Sequence, residues 1–293
     1  MNCRKVLTTG MTAAAGIAGM YLAAVSPRSK KDRVDRMPFL YKPSSGHERW
    51  LYAHRGLHDN DSEAPENSMA AFQRAVEAGY GIELDVQLTR DKVPVVFHDN
   101  TLRRVCGVSG CVSDYTFEEL QKFPLCTSEE RIPGFEEVLH LINGQVPLIV
   151  EYKLETFDTE VCVLGNELLD QYQGLYCIES FHPAAVHWYK EHRPDIMRGQ
   201  LSMNFMAEPE YRGKPVYWLL TNLMFNFWTK PDFIAYDHHG SENLSFRIST
   251  KLFGALPVAW TIKSEDELRK AEKNFQIFIF DSFIPEEIFI SSD

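Results

Sequence analysis

The sequence lacks a CxxC pair, and it lacks a block of basic residues outside its N-terminal region. Its six cysteines are scattered over 293 residues, which argues against a zinc finger or a thioredoxin-type redox site. The formal net charge is −11 at pH 7. Because proteins that bind a nucleic-acid backbone need a positive surface, this charge argues against nucleic acid as the substrate.

The cysteines themselves give little direction. Cys106 and Cys111 are near enough in sequence to close a small disulfide loop. Free thiols are the simpler interpretation, since the pattern of a disulfide-rich secreted domain is absent.

An uncharged segment occupies residues 6–27, which is long enough for a helix to cross a bilayer. We interpret residues 1–27 as a single-pass membrane anchor and residues 28–48 as a polar linker. Two basic residues precede the uncharged segment and five follow it by residue 36, which favours a cytoplasmic catalytic domain. The alternative is a signal segment that is cleaved, with a secreted catalytic domain.

Residues 49–293 alternate short apolar runs with helix-like stretches, the pattern of a (β/α)8 TIM barrel. Eight parallel strands are predicted, at residues 51–54, 81–86, 147–153, 175–181, 198–203, 233–237, 257–262 and 276–281. Helices are predicted at residues 68–78, 135–142, 159–172, 183–191, 216–227, 248–253 and 265–273. In such a barrel, chemistry belongs at the carboxyl ends of the strands.

One apolar run, at residues 94–97, does not fit this alternation. It follows the second strand after a turn at residues 89–92, whereas a parallel crossover needs a dozen residues or more. We therefore predict an antiparallel hairpin that returns His98 to the barrel mouth. Residues 100–133 are then an insertion of loop character over the same mouth.

Two acidic residues on the second predicted strand favour a metal site. Glu83 and Asp85 are two positions apart, so their side chains share one face, the interior of a barrel. Two buried carboxylates repel, and a divalent cation of the oxygen-loving type, Mg²⁺ or Ca²⁺, resolves the conflict. Glu151, with Lys153 on the same face, stands at another predicted strand end. The alternative is hydrated carboxylates, or carboxylates paired with lysine or arginine.

Two histidines supply candidates for acid and base chemistry. His54 closes the first strand, and His98 follows the hairpin. Each alone is more often a structural histidine, but two beside an acidic pair favour proton transfer. Arg55 offers a forked donor for phosphate oxygens, and Gly56 permits a sharp turn near a ligand.

These residues resemble the glycerophosphodiester phosphodiesterase family over about residues 50–285. The motifs that carry the resemblance are His54-Arg55-Gly56, Pro65-Glu66-Asn67, Glu83-x-Asp85, His98-Asp99, Glu151-x-Lys153 and Ala259-Trp260-Thr261. The resemblance implies a barrel of the phosphatidylinositol-specific phospholipase C type, in agreement with the strand count.

Roles for individual residues follow from the resemblance. It implies that His54 and His98 are the acid/base pair, while Arg55 and Lys153 bind phosphate oxygens. The implied ligands of one divalent cation are Glu83, Asp85 and Glu151.

Three further residues have supporting roles in that picture. Trp260 forms an apolar wall for the alcohol portion, or else packs in the barrel core. Glu66 and Asn67 anchor the loop, and Asn67 is a candidate cap for the helix that begins at Ser68.

The sequence departs from the family pattern in two places. The hairpin turn reads Asp91-Lys92 where the family commonly has Asp-Gly, so a lysine must adopt the conformation that glycine favours. The last predicted strand is followed by Ser282-Phe283-Ile284-Pro285 instead of a tight Thr-Asp-x-Pro ending, which leaves the alignment of that strand open.

The expected function is metal-dependent hydrolysis of a glycerophosphodiester. Residues 216–228 are strongly apolar, either as an outer helix packed on the barrel or as a surface that rests on lipid near the mouth. The second interpretation favours a lysophospholipid substrate. Two other classes are a lyase that releases a cyclic phosphate and a membrane-tethered binding protein without activity.

Overall fold

The computed structural model describes residues 15–42 and 49–286, and its centre is a closed barrel. The strands are β1 (Tyr52–His54), β2 (Gly81–Leu88), β3 (Pro94–Val96), β4 (Leu148–Tyr152), β5 (Tyr176–Ser180), β6 (Arg198–Ser202), β7 (Phe233–Asp237), β8 (Leu256–Ile262) and β9 (Ile277–Phe280). Eight of them run parallel in the order β1-β9-β8-β7-β6-β5-β4-β2, and β1 closes the barrel on β2. The predicted TIM barrel is confirmed.

Seven helices alternate with the strands around the outside. They are α1 (Met69–Glu77), α2 (Phe135–Ile142), α3 (Glu160–Leu169), α4 (Pro183–His192), α5 (Pro215–Thr221), α6 (Leu244–Arg247) and α7 (Glu265–Ala271). Shorter helical turns lie at Lys30–Asp32, Met37–Leu40, Arg103–Cys106, Val112–Asp114, Phe117–Leu120, Phe205–Ala207, Pro209–Tyr211, Asn226–Thr229, His238–Gly240 and Ile248–Leu252.

Alternation along the strands sends one set of side chains to the helices and the other to the barrel interior. On β4 every residue is buried. Tyr152 faces outward, where its hydroxyl bonds Tyr189 at 2.9 Å and a Cβ at Gly165 of α3 would meet it at 2.6 Å. Its neighbour Glu151 therefore points into the barrel, although a carboxylate is the costliest kind of side chain to place there.

The run at residues 94–97 forms the predicted hairpin. Its strand β3 pairs antiparallel with the far end of β2, where Val86 lies opposite Val96. Lys92 in the turn has φ 65°, so a lysine does adopt the left-handed conformation that glycine usually fills. Thr89 supports the turn by accepting from Val93 N at 2.9 Å and donating to Asp91 at 2.6 Å.

The insertion after β3 is more ordered than its sequence indicates. It contains three short helical turns and a separate hydrophobic cluster. The buried members of that cluster are Val95, Phe97, Leu102, Val105, Val112, Leu120, Leu125 and Ile132. The loop character predicted for residues 100–133 is confirmed for most of the segment, but its short helical turns and its own apolar cluster were not predicted. Cys106, Cys111 and Cys126 are free thiols.

Two helices of the structure differ in extent or type from the helices predicted from sequence. The helix predicted at residues 216–227 breaks after α5, where Leu223 has φ 54°, and resumes at Asn226–Thr229. The helix predicted at residues 248–253 is the wide-turn segment Ile248–Leu252, which continues α6. A uniformly apolar run has no periodicity that marks such breaks.

The predicted membrane anchor lies partly outside the described residues. Residues 15–24 are helical, and among the residues described no helix has both the length and the apolar character needed to span a bilayer. Tyr21 bonds Ser245 at 2.6 Å, and the buried Val25 accepts hydrogen bonds from Asn226 and Ser249 through its carbonyl. This helix therefore contacts the outer layer of the barrel.

The region predicted as a polar linker, residues 28–48, also contacts the barrel in its described part. Arg28 pairs with Asp232 at 3.3 Å, and Arg33 donates to the carbonyls of Phe253 and Gly254. Phe39 and Leu40 are buried in the main core. Apolar burial and carbonyl capping hold this part of the chain to the barrel, so residues 28–41 are not a free spacer.

Candidate active site

A cavity of about 240 Å³ opens at the carboxyl ends of the strands. Six of the ten predicted site residues line it: His54, Arg55, Glu83, His98, Glu151 and Trp260. The other four, Asp85, Lys153, Glu66 and Asn67, bond directly to members of this group or to one another. The structure thus brings all ten predicted residues to one end of the barrel.

Three carboxylates converge because of strand register. Glu83 and Asp85 both point inward from β2, and Asp85 lies opposite Glu151 of β4. One oxygen from each of Glu83, Asp85 and Glu151 lies within 4.8 Å of the others, and all three side chains are buried. Buried oxygens in this arrangement are the donor set that hard divalent cations prefer.

Burial and mutual repulsion control the ionisation of these acids. Burial, reinforced by the neighbouring carboxylates, holds the pKa of Glu83 well above its usual range. Burial also raises the pKa of Glu151, against the pull of Lys153. Burial opposes ionisation of Asp85 too, but Lys153, His98 and Arg55 together hold its pKa well below its usual range. The cluster carries more acid than its cations neutralise.

Lys153 is the cation at the centre of the cluster. Its Nζ lies 2.9 Å from Asp85 and 2.8 Å from Glu151. The two acids raise the pKa of Lys153 despite its burial, so the ammonium stays charged. A fixed positive charge beside the carboxylates suits the binding of an anion such as phosphate.

His54 is held by Asp281, a partly buried acid that directly follows β9. Its Nδ1 lies 3.3 Å from Asp281, whose other oxygen lies 3.2 Å from His58. Burial lowers the pKa of His54 to about 4, against the opposing effect of Asp281. The imidazole is therefore neutral at pH 7, and its Nε2 lies 3.9 Å from Glu83.

His98 has a similar carboxylate partner, contributed by its own neighbour. Its Nδ1 lies 2.8 Å from Asp99. Gln87 holds this corner of the hairpin by donating to the carbonyls of Phe97 and Asp99, at 2.7 and 3.0 Å. Both histidines thus use Nδ1 for a carboxylate, which leaves Nε2 as the nitrogen that can exchange a proton with a ligand.

Arg55, Glu66 and Asn67 form one bonded group beside the carboxylates. Arg55 donates to Glu66 at 2.7 Å and lies 3.7 Å from Asp85, while its backbone N–H donates to Glu83 at 3.1 Å. Asn67 donates to Asp85 at 2.8 Å. The prediction that Asn67 caps α1 was wrong, because the Ser68 hydroxyl accepts the bond from Ala71 N instead.

Trp260 lies in the cavity wall, at an edge contact of 5.4 Å with Phe181. Its side chain is partly buried and packs against the main hydrophobic core, so Trp260 both lines the cavity and contacts the core. An aromatic pair at this point gives the cavity one apolar side opposite its charged side.

Several site residues were not anticipated from sequence. Glu179 of β5 lies opposite Glu151, is 1% exposed, and has no hydrogen-bond partner for Oε2 among the residues that the structure describes. Burial and the adjacent Glu151 raise the pKa of Glu179 well above its usual range. A lone acid in the apolar run of β5 was the signal available. Asp281 ends a strand whose alignment was uncertain, and no local pattern marked Arg104, described below.

A second group of potential ligands follows β7. Asp237, His238 and His239 have donor atoms within 4.8 Å of one another. Asp237, however, already accepts bonds from the backbone and the ring of His239, at 3.0 and 2.9 Å. The His239 side chain is 71% exposed. These contacts close a local turn and contrast with the buried carboxylates of β2 and β4.

The comparison with known proteins agrees with this geometry. Residues 54–274 match the model of the glycerophosphoryl diester phosphodiesterase family. A glycerophosphodiester phosphodiesterase of Bacillus altitudinis is 32% identical over 172 residues, covering 55% of this chain and 69% of the relative. Glycerophosphodiester phosphodiesterase 1 of Mus musculus is 26% identical over 265 residues, which cover 80% of this chain and 78% of the relative.

Solved structures with the same fold are also similar. A phosphodiesterase of Oleispira antarctica, in complex with the product sn-glycerol-3-phosphate, aligns with a TM-score of 0.64 at 23% identity, covering 80% of this chain and 93% of that one. A glycerophosphodiester phosphodiesterase of Thermotoga maritima aligns with a TM-score of 0.60 at 22% identity, and the alignment covers 80% of this chain and 95% of that one. At such identities the likeness shows the fold.

The ion pairs of Glu66 make the stability of the site depend on pH. Burial alone would raise the pKa of Glu66, but Arg104 and Arg55 lower it to about 2, from 4.5. Because the folded-state pKa is the lower one, the ionised carboxylate stabilises the protein above pH 4.5 and loses this contribution as pH falls towards 2. We expect Glu66→Gln to lower the free energy of unfolding by about 2–3 kcal/mol at pH 7. Urea denaturation of both proteins at a series of pH values measures this difference in the free energy of unfolding.

The difference between Glu66→Gln and the wild-type protein should shrink as the pH is lowered. Glu63→Gln is the matched control, since Glu63 is exposed and forms no ion pair in the part of the chain that the structure describes. A difference that stays constant with pH would contradict the assignment.

Proposed function

Because the chain belongs to the glycerophosphoryl diester phosphodiesterase family, we propose that it hydrolyses glycerophosphodiesters with His54 and His98 as its acid/base pair. Members of this family are enzymes, which argues against the alternative of a binding protein without activity. The observation that supports the proposal best is that both imidazoles reach one cavity beside three buried carboxylates. Water adds across a P–O ester bond, and an alcohol and a glycerol phosphate leave.

The cation in this proposal is Mg²⁺ or Ca²⁺, held by Glu83, Asp85 and Glu151. The all-oxygen donor set and the shortage of positive charge among these acids favour such an ion. When bound, a divalent cation neutralises phosphate charge and increases the electrophilicity of phosphorus.

The side chains of the site have separate roles in phosphate binding and in proton transfer. Arg55 and Lys153 attract the phosphate and stabilise the charge that develops on its oxygens. One imidazole accepts a proton from the attacking water, and the other donates a proton to the departing alkoxide. Asp281 and Asp99 hold the two rings through Nδ1, so Nε2 transfers the proton in each case.

A lyase of similar architecture would stop at a cyclic phosphate. The attacking group would then be the neighbouring hydroxyl of glycerol instead of water. Phosphorus NMR of the products separates the two reactions, since a cyclic ester and a monoester have different chemical shifts. Accumulation of the cyclic ester as the end product would replace hydrolysis by the lyase alternative.

A lipid substrate is the finer part of the proposal. Aromatic rings lead from the cavity towards α5: Trp260 contacts Phe181, which contacts Phe205 at 5.7 Å, and Phe205 contacts Tyr217 at 5.4 Å. On α5 only Thr221 is fully buried. Val216 and Trp218 are each 48% exposed, so this helix is not simply packed on the barrel. Such an apolar surface next to a charged cavity suits a single acyl chain on the alcohol side.

We expect His54→Ala and His98→Ala each to lower kcat for glycerophosphocholine by about 100-fold or more, because general acid/base catalysis contributes 10²–10⁴-fold. The fold should persist, as judged by circular dichroism and Tm. His140→Ala is the matched control, since His140 is exposed on α2. Near-normal turnover in either site variant would remove that histidine from the mechanism.

Removal of divalent cations should abolish turnover, because the acids of β2 and β4 would then repel the substrate phosphate. Isothermal titration with MgCl₂ and CaCl₂ should show one site per chain. We expect Glu151→Gln to weaken that binding by about tenfold or more, while Asp237→Asn leaves it unchanged. Activity that survives exhaustive chelation, or weaker binding in Asp237→Asn instead, would overturn the assignment.

A lipid-binding role for α5 predicts a selective loss. Trp218→Ala should lower kcat/KM for lysophosphatidylcholine by about tenfold, equivalent to about 1.4 kcal/mol, and leave glycerophosphocholine hydrolysis nearly unchanged. Leu252→Ala removes an apolar side chain that is at least as exposed but precedes β8, away from the mouth, and should change neither activity. If the wild-type protein hydrolyses glycerophosphocholine alone, the lipid part of the proposal fails.

A further inference from the structure

Arg104 is the cation that links the insertion to both sides of the cavity. It lies on the short helical turn Arg103–Cys106. Its Nη1 and Nη2 donate to the two oxygens of Glu66, at 2.6 and 2.7 Å. Its Nε and Nη2 donate to the two oxygens of Asp99, each at 2.7 Å. One guanidinium therefore binds two carboxylates in forked geometry, which a point charge such as lysine cannot reproduce.

Both carboxylates lead directly to residues of the proposed mechanism. Asp99 bonds Nδ1 of His98 at 2.8 Å. The Glu66 oxygen that accepts from Arg104 Nη2 also accepts from Arg55, at 2.7 Å. A continuous series of charge-assisted hydrogen bonds thus runs from the phosphate-binding arginine to the imidazole.

The insertion fixes the position of Arg104. Val105, the next residue, is 3% exposed in the separate cluster of the insertion, and its carbonyl accepts from Cys126 N at 2.7 Å. Leu102 on the other side is fully buried in the same cluster. Arg103 is exposed, as Arg104 is, but it forms no ion pair among the described residues. These two adjacent arginines lie on the same helical turn but differ in their ion pairs, which only Arg104 forms among the described residues.

We propose that Arg104 is a positioning residue, which orients His98 through Asp99 and ties it to Arg55 through Glu66. The proposal rests on the function proposed above. Without Arg104, Asp99 would be free to rotate on a partly buried hairpin corner, since its remaining side-chain partner among the described residues is the imidazole that it must orient. Misplacement of a catalytic group by about 1 Å costs on the order of 100-fold in rate.

The closing experiment compares Arg104→Gln with Arg103→Gln in the full chain, with glycerophosphocholine and Mg²⁺ or Ca²⁺. We expect Arg104→Gln to lower kcat by about 10- to 100-fold, as for other partners that orient a catalytic or metal-bound histidine. KM and cation affinity should change by less than about threefold, because Arg104 is not among the residues lining the cavity. Arg103→Gln should match the wild-type protein.

Further measurements separate positioning from general stability. Arg104→Lys should recover little activity, whereas added guanidinium at millimolar concentration should partly restore Arg104→Ala and leave Arg103→Ala unaffected. The double variant Asp99→Asn/Arg104→Gln should be no slower than the slower single variant, because both changes break the same series of bonds. Effects that multiply, or an Arg104→Gln enzyme as fast as Arg103→Gln, would overturn the proposal.

The outcomes also distinguish this inference from the function on which it rests. If the wild-type protein and Arg103→Gln show no turnover of any glycerophosphodiester, the proposed function fails. If both are active and Arg104→Gln equals them, the function stands and the positioning role is wrong.

Discussion

Mutual repulsion among buried carboxylates is the constraint on which the site depends. Glu83, Asp85, Glu151 and Glu179 all lie at the barrel mouth, almost wholly removed from water. Burial raises the pKa of three of them, and only Asp85 is kept ionised by its neighbours. Such an arrangement costs folding free energy unless positive charge compensates it. The protein supplies part of that charge from Lys153 and Arg55, and a divalent cation with a phosphate ligand is the natural complement.

The insertion explains how two distant parts of the chain contribute histidines to one cavity. His54 ends a barrel strand, and its position follows from the closure of the sheet. His98 stands on a hairpin outside the barrel and has no such support. The separate apolar cluster of residues 95–132 provides it, since it fixes Arg104 opposite both Asp99 and Glu66. In the positioning role proposed for Arg104, this small second core supports His98 as the sheet supports His54.

Much of the fold was predictable because its causes are local. Parallel strands buried on both faces consist of apolar runs. An acid such as Glu151 inside such a run is an exception that marks a candidate site residue. The short spacing before β3 required an antiparallel return. The break of the helix within residues 216–227 was not predictable. A uniformly apolar stretch has no periodic pattern whose interruption would mark the end of a helix. Glu179 and Asp281 were not predicted as site residues. Each is a single acid in its own segment, and its role depends on a residue of another strand, Glu151 for Glu179 and His54 for Asp281.

The sequence by itself determined the barrel, the hairpin and the identities of the acids, histidines and cations at the strand ends. These follow from alternation, spacing and the chemistry of side chains, which are properties of neighbours along the chain. Only the tertiary structure decided the partners: Asp281 for His54, Glu179 beside Glu151, and Arg104 between Asp99 and Glu66. Hydrogen bonds of 2.6 to 3.3 Å between residues far apart in sequence require register and packing, which no short segment encodes.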